Sequence, residues 1–282
     1  MTPHPFEITF IHLTDTHIGT ADDSHLHSDT GATLATVLDK IAGLDPRPAF
    51  IVNSGDLTNR GDAESFRRLK AMLDNLGIPV VYALGNHDTR PGFYEGFGIA
   101  TDDALAPYDH DVVIAGIHVI TLDTSEPGAI GGTITAAQFD WLAGALDRHA
   151  DLPKLIVAHH PPALGEAADL THWRTIHFPQ SQRLAEMLKG RNILAILSGH
   201  IHHDRVSIWH GIPVFVGTGL HAATDILVQD RLSMVRGASF GLATIRPSGL
   251  TMAVVPLPSD RAELATYPYS LLLERARPAA AE

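Results

Sequence analysis

The chain contains no cysteine. Disulfides and thiolate metal sites are thereby excluded, and any metal must be held by nitrogen and oxygen donors. Basic residues are scarce: 20 Lys and Arg stand against 32 Asp and Glu, a formal net charge of −12. No Lys/Arg-rich stripe is available to displace counterions from a phosphate backbone, so no nucleic acid polymer is expected as partner. A small anion stays admissible, because bound cations can reverse a local field. No apolar run reaches the ~18–20 residues that span a bilayer, and no membrane span is expected. Residues 1–7 lack the basic stretch and apolar block of a secretory signal, so the expected location is cytoplasmic.

The 282 residues, 45% hydrophobic, are enough for one large domain with a buried core. Glu7–Thr14 reads as a strand. Asp29 or Thr30 can cap a helix carrying Leu34, Val37, Leu38 and Ile41, with Gly43 as its stop. Ala49–Asn53 is a short buried strand, and Asp62 caps a helix with Phe66, Leu69, Met72, Leu73 and Leu76 at helical spacing. Ile78–Leu84 completes a β-α-β-α-β run, the pattern of a parallel sheet under helices. Further on, Thr135 and Gln138 form a capping box, Leu155–Ala158 and Ile193–Leu197 read as strands, and Ser181–Lys189 as a helix. Gly116, His210-Gly211 and Pro247-Ser248-Gly249 mark hairpins. Helix-alternating strands followed by hairpins suggest two packed sheets with helices outside.

Histidine is abundant, at 18 residues, and its placement is not random. Five segments end apolar, strand-like runs: Asp15-Thr16-His17, Gly55-Asp56, Gly85-Asn86-His87-Asp88, His159-His160-Pro161 and Gly199-His200-Ile201-His202. Parallel strands bring such ends to one edge, where ligands gather in α/β sheets. Imidazole and carboxylate together suit divalent or trivalent Fe, Mn or Zn. The i, i+2 spacing of Asp15/His17 and of His200/His202 lets each pair address one centre in extended backbone. Asp56 has the two oxygens needed to bridge two metals, and Asn86 adds an oxygen without charge. Two ions about 3.5–4 Å apart would acidify a bridging water and clamp a phosphoryl oxygen for in-line attack. His87 is placed to protonate the leaving alkoxide, with Asp88 to orient it.

These motifs, in this order over roughly residues 7–220, resemble the calcineurin-like metallophosphoesterase superfamily. The resemblance implies a four-layer α/β/β/α sandwich of two mixed sheets flanked by helices. It implies two metal ions, one held by Asp15, His17, Asp56 and His202, the other by Asp56, Asn86, His159 and His200. It gives His87 the leaving-group role. Ile11–His17 and Ser54–Thr58 look like the small bacterial phosphodiesterases, the class III cyclic nucleotide enzymes and the related glycerophosphodiesterases. Thr14 stands where that family often has Ser. The substrate expected is a small phosphodiester, first a 3′,5′-cyclic nucleotide, otherwise a glycerophosphodiester, a broader range of diesters or a monoester.

Residues 1–220 are expected to form the core. Residues 221–282 are expected to complete the second sheet within the same domain and to end in a frayed tail. A homodimer is expected. His221 and the 163–178 loop, with His172, Trp173 and His177, are candidates to meet the substrate along with Asn86 and His87. His160 is left outside the ligand set, since neighbours on a strand point apart. Asn59 and Arg60 read as a turn leading into a helix. His25, His27, His110, His118, His149 and His210 are read as surface or turn positions without a catalytic role.

Overall fold

The first strand already shows how the layers arise. In β1 (Ile8–Leu13), Phe10 faces one apolar cluster, and Ile11 and Leu13 face another on the opposite side. A strand that is buried on both faces must lie inside a stack of layers. The computed structural model, which describes residues 7–20, 23, 26–166 and 174–275, shows that stack.

β2 (Phe50–Asn53) and β3 (Val80–Tyr82) run parallel to β1, and α1 (Thr30–Ala42) and α2 (Ala63–Asp74) make the crossovers. Asp29 caps α1 by accepting from Ala32 N, and Asp62 caps α2 by accepting from Ser65 N. Their apolar stripes (Leu34, Val37 and Ile41; Phe66, Leu69 and Leu73) close over Ile11, Leu13 and Ile51. α3 (Arg90–Phe97), which the sequence pattern did not reveal, packs against α2 with Phe93 against Phe66. Gly92 and Gly96 lower its helical propensity, but both sit where a β-carbon would strike a neighbour, the Gly61 carbonyl or Phe66.

The second sheet begins with the hairpin of β4 (His110–Ile114) and β5 (Ile117–Leu122), joined through Ala115 and Gly116, both at positive φ. α4 (Ala136–Arg148), opened by the reciprocal Thr135–Gln138 capping box, leads to β6 (Lys154–Ala158). α5 (Phe178–Leu188) starts three residues before the expected Ser181, with a proline in its first turn. β7 (Ile193–Ser198) follows, then the hairpin of β8 (Arg205–Trp209) and β9 (Ile212–Val216). The sheet order is β4-β5-β6-β7-β9-β8, with α4 and α5 on its outer face.

The remaining elements are β10 (Ala223–Thr224), β11 (Arg231–Val235), β12 (Ser239–Arg246), β13 (Gly249–Pro256), β14 (Glu263–Pro268) and α6 (Tyr269–Arg275). They do not complete the second sheet. β12 and β13 join the first, in the order β13-β12-β1-β2-β3, while β10, β11 and β14 form a small third sheet. The physical reason lies in β1: its far edge is buried, so its backbone groups need a partner, and β12 supplies it antiparallel. Both large sheets are therefore mixed, and the whole is the four-layer sandwich. Among the described residues, no helix is long and apolar enough to cross a membrane.

Phe10, Phe50, Val52 and Val81 from one sheet meet Val119, Leu155, Val157 and Leu197 from the other. Phe10 and Phe50 stack at 4.8 Å with an interplanar angle of 5°, and both are fully buried. Phe50→Ala should lower the unfolding free energy by about 3–5 kcal/mol, measured by urea denaturation. A loss under about 1 kcal/mol would contradict this as the central inter-sheet contact.

Candidate metal centre

The carboxyl ends of the parallel strands are in register: Leu13 faces Asn53, Asn53 faces Tyr82, and Leu122 faces Ala158. Beyond these ends the chain turns abruptly. Asp15 (φ 47°), His17 (φ 42°), Asp56 (φ 47°), His200 (φ 76°) and His202 (φ 51°) all adopt left-handed backbone. They are five of the nine non-glycine residues with positive φ among those described. Such conformations are disfavoured, and they persist only where surroundings impose them. Here the loops after β1 and β2 lock together, with Asp15 N donating to Gly55 O at 2.9 Å and His17 N to Asp56 O at 3.0 Å.

Two groups of donors result. Asp15, His17, Asp56 and His202 have donor atoms within 4.8 Å of one another. His159 and His200 belong to a second group. Asp56 Oδ2 joins the two, 3.6 Å from His17 Nε2 and 3.3 Å from His159 Nε2. Its other oxygen, Oδ1, accepts from His87 N at 2.8 Å, which brings Asn86 alongside. His202 Nε2 lies 3.4 Å from Asp15 Oδ1. Six of the seven residues singled out in the sequence thus come together from four separate segments, and Asn86 is next in the chain to the His87 N–H that bonds Asp56.

Orientation is set by backbone carbonyls. His159 Nδ1 donates to Ser54 O and His202 Nδ1 to Ala222 O, each at 3.0 Å. A carbonyl can only accept, so both rings carry hydrogen on Nδ1 and present Nε2 inward. Asp15 is held by Thr14 Oγ1 at 2.8 Å and by His200 N at 3.0 Å. Gly85 and Gly199 permit this closeness: a β-carbon on either would overlap the Asp56 or the Asp15 carboxylate.

The donors suit a cation in their hydrogen bonding as well as in their type. Both ring nitrogens of His17 and Oδ1 of Asn86 are buried and make no hydrogen bond. Buried polar atoms in that state are rare and point to a ligand. Burial, with the His221 and His87 rings nearby, holds the His17 pKa well below its usual value, leaving a neutral ring with one nitrogen lone pair to offer. Burial opposes ionisation of Asp56, but His159, His87 and His17 outweigh it and keep that carboxyl well below the usual range. Burial also works against a charged His159, yet Asp56, Asp15 and Asp88 overcome it and raise that pKa to about 9. Asp56 is thus held as a carboxylate among the imidazoles.

Some expectations are corrected. Asp88 does not orient His87. Its carboxylate accepts from Leu57 N, Thr58 N, Thr58 Oγ1 and Gly85 N, stitching the loop of Asp56 to that of Asn86. Burial and the Asp56 charge push its pKa up to about 7 despite these donors. His87 is oriented by the Asn59 carbonyl, 3.0 Å from Nδ1, so the Asn59–Arg60 turn contributes directly. His27 is not a bystander either: its N–H donates to His221 Nε2, and its ring stacks on that of His221 at 5.7 Å. His118 is fully buried and paired with Asp111, so it is not a surface residue.

His160 lies beside the centre, but both its ring nitrogens are engaged, by Thr124 Oγ1 and Ile130 O. His221 lies 4.6 Å from the His17 ring, and its Nδ1 is buried without a partner. Since Nε2 accepts from His27, Nδ1 carries the hydrogen; His221 offers a donor to the site and no lone pair for a metal. Burial and the His202 and His27 rings lower its pKa to about 3. His177 caps α5 without a side-chain cap bond. His25, His172 and Trp173 lie outside the described residues.

A sequence model of the calcineurin-like phosphoesterases matches residues 8–204, which include Asp15, His17, Asp56, Asn86, His159, His200 and His202. The chain belongs to that family. This calcineurin-like phosphoesterase is a metal-dependent hydrolase of phosphoric esters. Among its relatives are a probable cyclic nucleotide phosphodiesterase of Rhodococcus erythropolis, 31% identical over 88% of this chain and 83% of that one. A cAMP/cGMP dual specificity phosphodiesterase of Mycobacterium tuberculosis is 30% identical over 90% of this chain and 81% of that one. Of solved structures, the yellow lupin purple acid phosphatase PPD1 shares the fold, with TM-score 0.63 at 13% identity, over 98% of this chain and 57% of that one.

Gly85→Ala should displace Asp56 and lower metal affinity at least about tenfold, read as metal content after dialysis. Gly165→Ala, where a β-carbon meets nothing within 4 Å, is the control. Equal metal retention in both variants would refute the close-approach role of Gly85.

Proposed function

We propose that this phosphoesterase hydrolyses small phosphodiesters at a dinuclear metal centre, with 3′,5′-cyclic nucleotides as the preferred substrates. The observation that carries the dinuclear reading is the division of labour at Asp56. Its Oδ1 is taken by the His87 N–H, while Oδ2 alone faces both His17 and His159. In this reading Asp15, His17, Asp56 and His202 hold one ion, and Asp56, Asn86, His159 and His200 the other. The donor set admits Fe, Mn or Zn. Bound there, the ions supply Lewis acidity toward phosphoryl oxygen and lower the pKa of the hydrolytic water.

The protein's own groups supply the rest. Asn86 and the His221 Nδ1–H bind the phosphoryl group and fix its orientation. His87, whose Nδ1–H is taken by the Asn59 carbonyl, turns Nε2 to the leaving oxygen and gives it a proton from the doubly protonated ring. Asp88 keeps the two loops at a fixed spacing, so that His87 and Asp56 stay together. The cyclic nucleotide choice is supported by the two relatives at 30–31% identity, both named for cyclic nucleotide hydrolysis. A glycerophosphodiester is the second reading, favoured by a probable glycerophosphodiester phosphodiesterase of Arcobacter nitrofigilis, 28% identical over 72% of this chain. The homodimer and the cytoplasmic placement belong to the same reading and rest on the sequence alone.

The substrate test is product formation by Mn²⁺-reconstituted protein from cyclic AMP and from glycerophosphocholine, with Asp56→Ala as blank. Asp56-dependent turnover of cyclic AMP is expected; turnover of glycerophosphocholine alone would transfer the protein to the second reading.

Asp56→Ala should abolish turnover and weaken retention of both metal equivalents, and loss of only one equivalent would sink the bridge. His87→Ala should keep both equivalents while slowing turnover about 10²–10⁴-fold, most for poor leaving groups. A uniform loss across leaving groups would exclude proton transfer from His87.

A further inference from the structure

Arg205 opens β8, and alternation puts its side chain on the strand face shared by Ser207 and Trp209. Trp209 on that face donates its indole N–H to Ala163 O at 3.2 Å. Arg205 is therefore turned away from the inter-sheet core, close enough to Arg174 to feel its charge. Arg174 is fixed in place: Nη2 donates to Tyr269 OH at 3.1 Å, and the guanidinium lies 5.2 Å from the Tyr269 ring centroid.

Arg205 Nε and Nη2 are both buried, and neither has a hydrogen-bond partner among the described residues. A guanidinium cannot shed its charge in a protein, so this half-buried cation has two buried, unmet donors. That state is costly unless something accepts from it. The adjacent Asp204 accepts from Thr218 N and Ser239 Oγ through Oδ1 and does not bond the Arg205 Nε or Nη2. A second cation makes the need greater, since burial and the Arg174 charge both push the Arg205 pKa down.

The two unmet donors are also the right pair. Nε–H and Nη2–H form one side of the guanidinium fork and point in parallel, which matches two oxygens of a single oxyanion. We propose that Arg205, backed by Arg174, is a bidentate binding site for a phosphate-type oxyanion, separate from the metal centre. The anion comes either from free phosphate or from a second phosphate group on a substrate. This goes beyond the reading of the metal centre and does not depend on which diester is cleaved there.

The test is equilibrium dialysis of inorganic phosphate against the Mn²⁺-reconstituted full chain. Wild type should bind two equivalents, one at the metals and one at Arg205. Arg205→Gln should bind one, with its metal content unchanged. Asp56→Ala should lose the metal-dependent equivalent and keep the other, which separates failure at the metal centre from failure here. Arg205→Lys keeps the charge without the fork and should weaken the second equivalent at least tenfold. It also serves if the glutamine variant does not fold. Phosphate binding that Arg205→Gln leaves unchanged from wild type would overturn the proposal. The source is decided by comparing kcat/KM for a diester with and without an added terminal phosphate. A selective loss for the phosphorylated diester in Arg205→Gln assigns the site to substrate, and an equal change for both assigns it to free phosphate.

Discussion

Everything at the centre depends on keeping the Asp56 carboxylate ionised while it is almost entirely out of water. An isolated carboxylate in that position would take up a proton. It stays charged because three histidines crowd it and because the His87 N–H bonds it directly. Those histidines arrive from the ends of β1, β3 and β6, so the charge is held by the convergence of separate strands. The parallel sheets thus act as a frame that sets several short loops at one potential. Asp15 and Asp88 are buried close by as well, and burial raises the pKa of both, so Asp56 is the carboxyl that the histidines hold ionised.

The same frame explains which parts of the protein could be read from its residues. The donors were legible because each falls just after a β-like run, and parallel strands leave few places for such ends to go. The helices with capping boxes or Asp caps were legible for the same local reason. α3 was not, since its two glycines are explained by contacts with Gly61 and Phe66 that no pattern along the chain displays. Nor was the destination of β12, which is fixed by the open edge of β1, a partner more than 200 residues distant in sequence.

Within the site, side chains were easier to foresee than their supports. Asp88 looked like a partner for His87 by adjacency, but adjacency in a tight loop sends neighbouring side chains apart. The group that holds His87 is a backbone carbonyl, at Asn59, and the groups that hold His159 and His202 are carbonyls as well. Any residue type can offer a carbonyl, so these supports leave no mark in composition or spacing. His27 escaped notice because its importance lies in an amide hydrogen and a ring stacked on His221, a residue 194 positions away.

The left-handed turns also restrict how such a centre can be lost. At Asp15 and Asp56 the backbone tolerates glycine, asparagine and aspartate far better than branched or bulky side chains. Drift that inactivates the enzyme gently is therefore channelled toward Asn and Gly, which leave the loops in shape. Replacement by valine or isoleucine would remove the donor and strain the turn in one step. A chain of this kind can lose its chemistry and keep its surface, so an inert copy would be a ready-made scaffold for other uses.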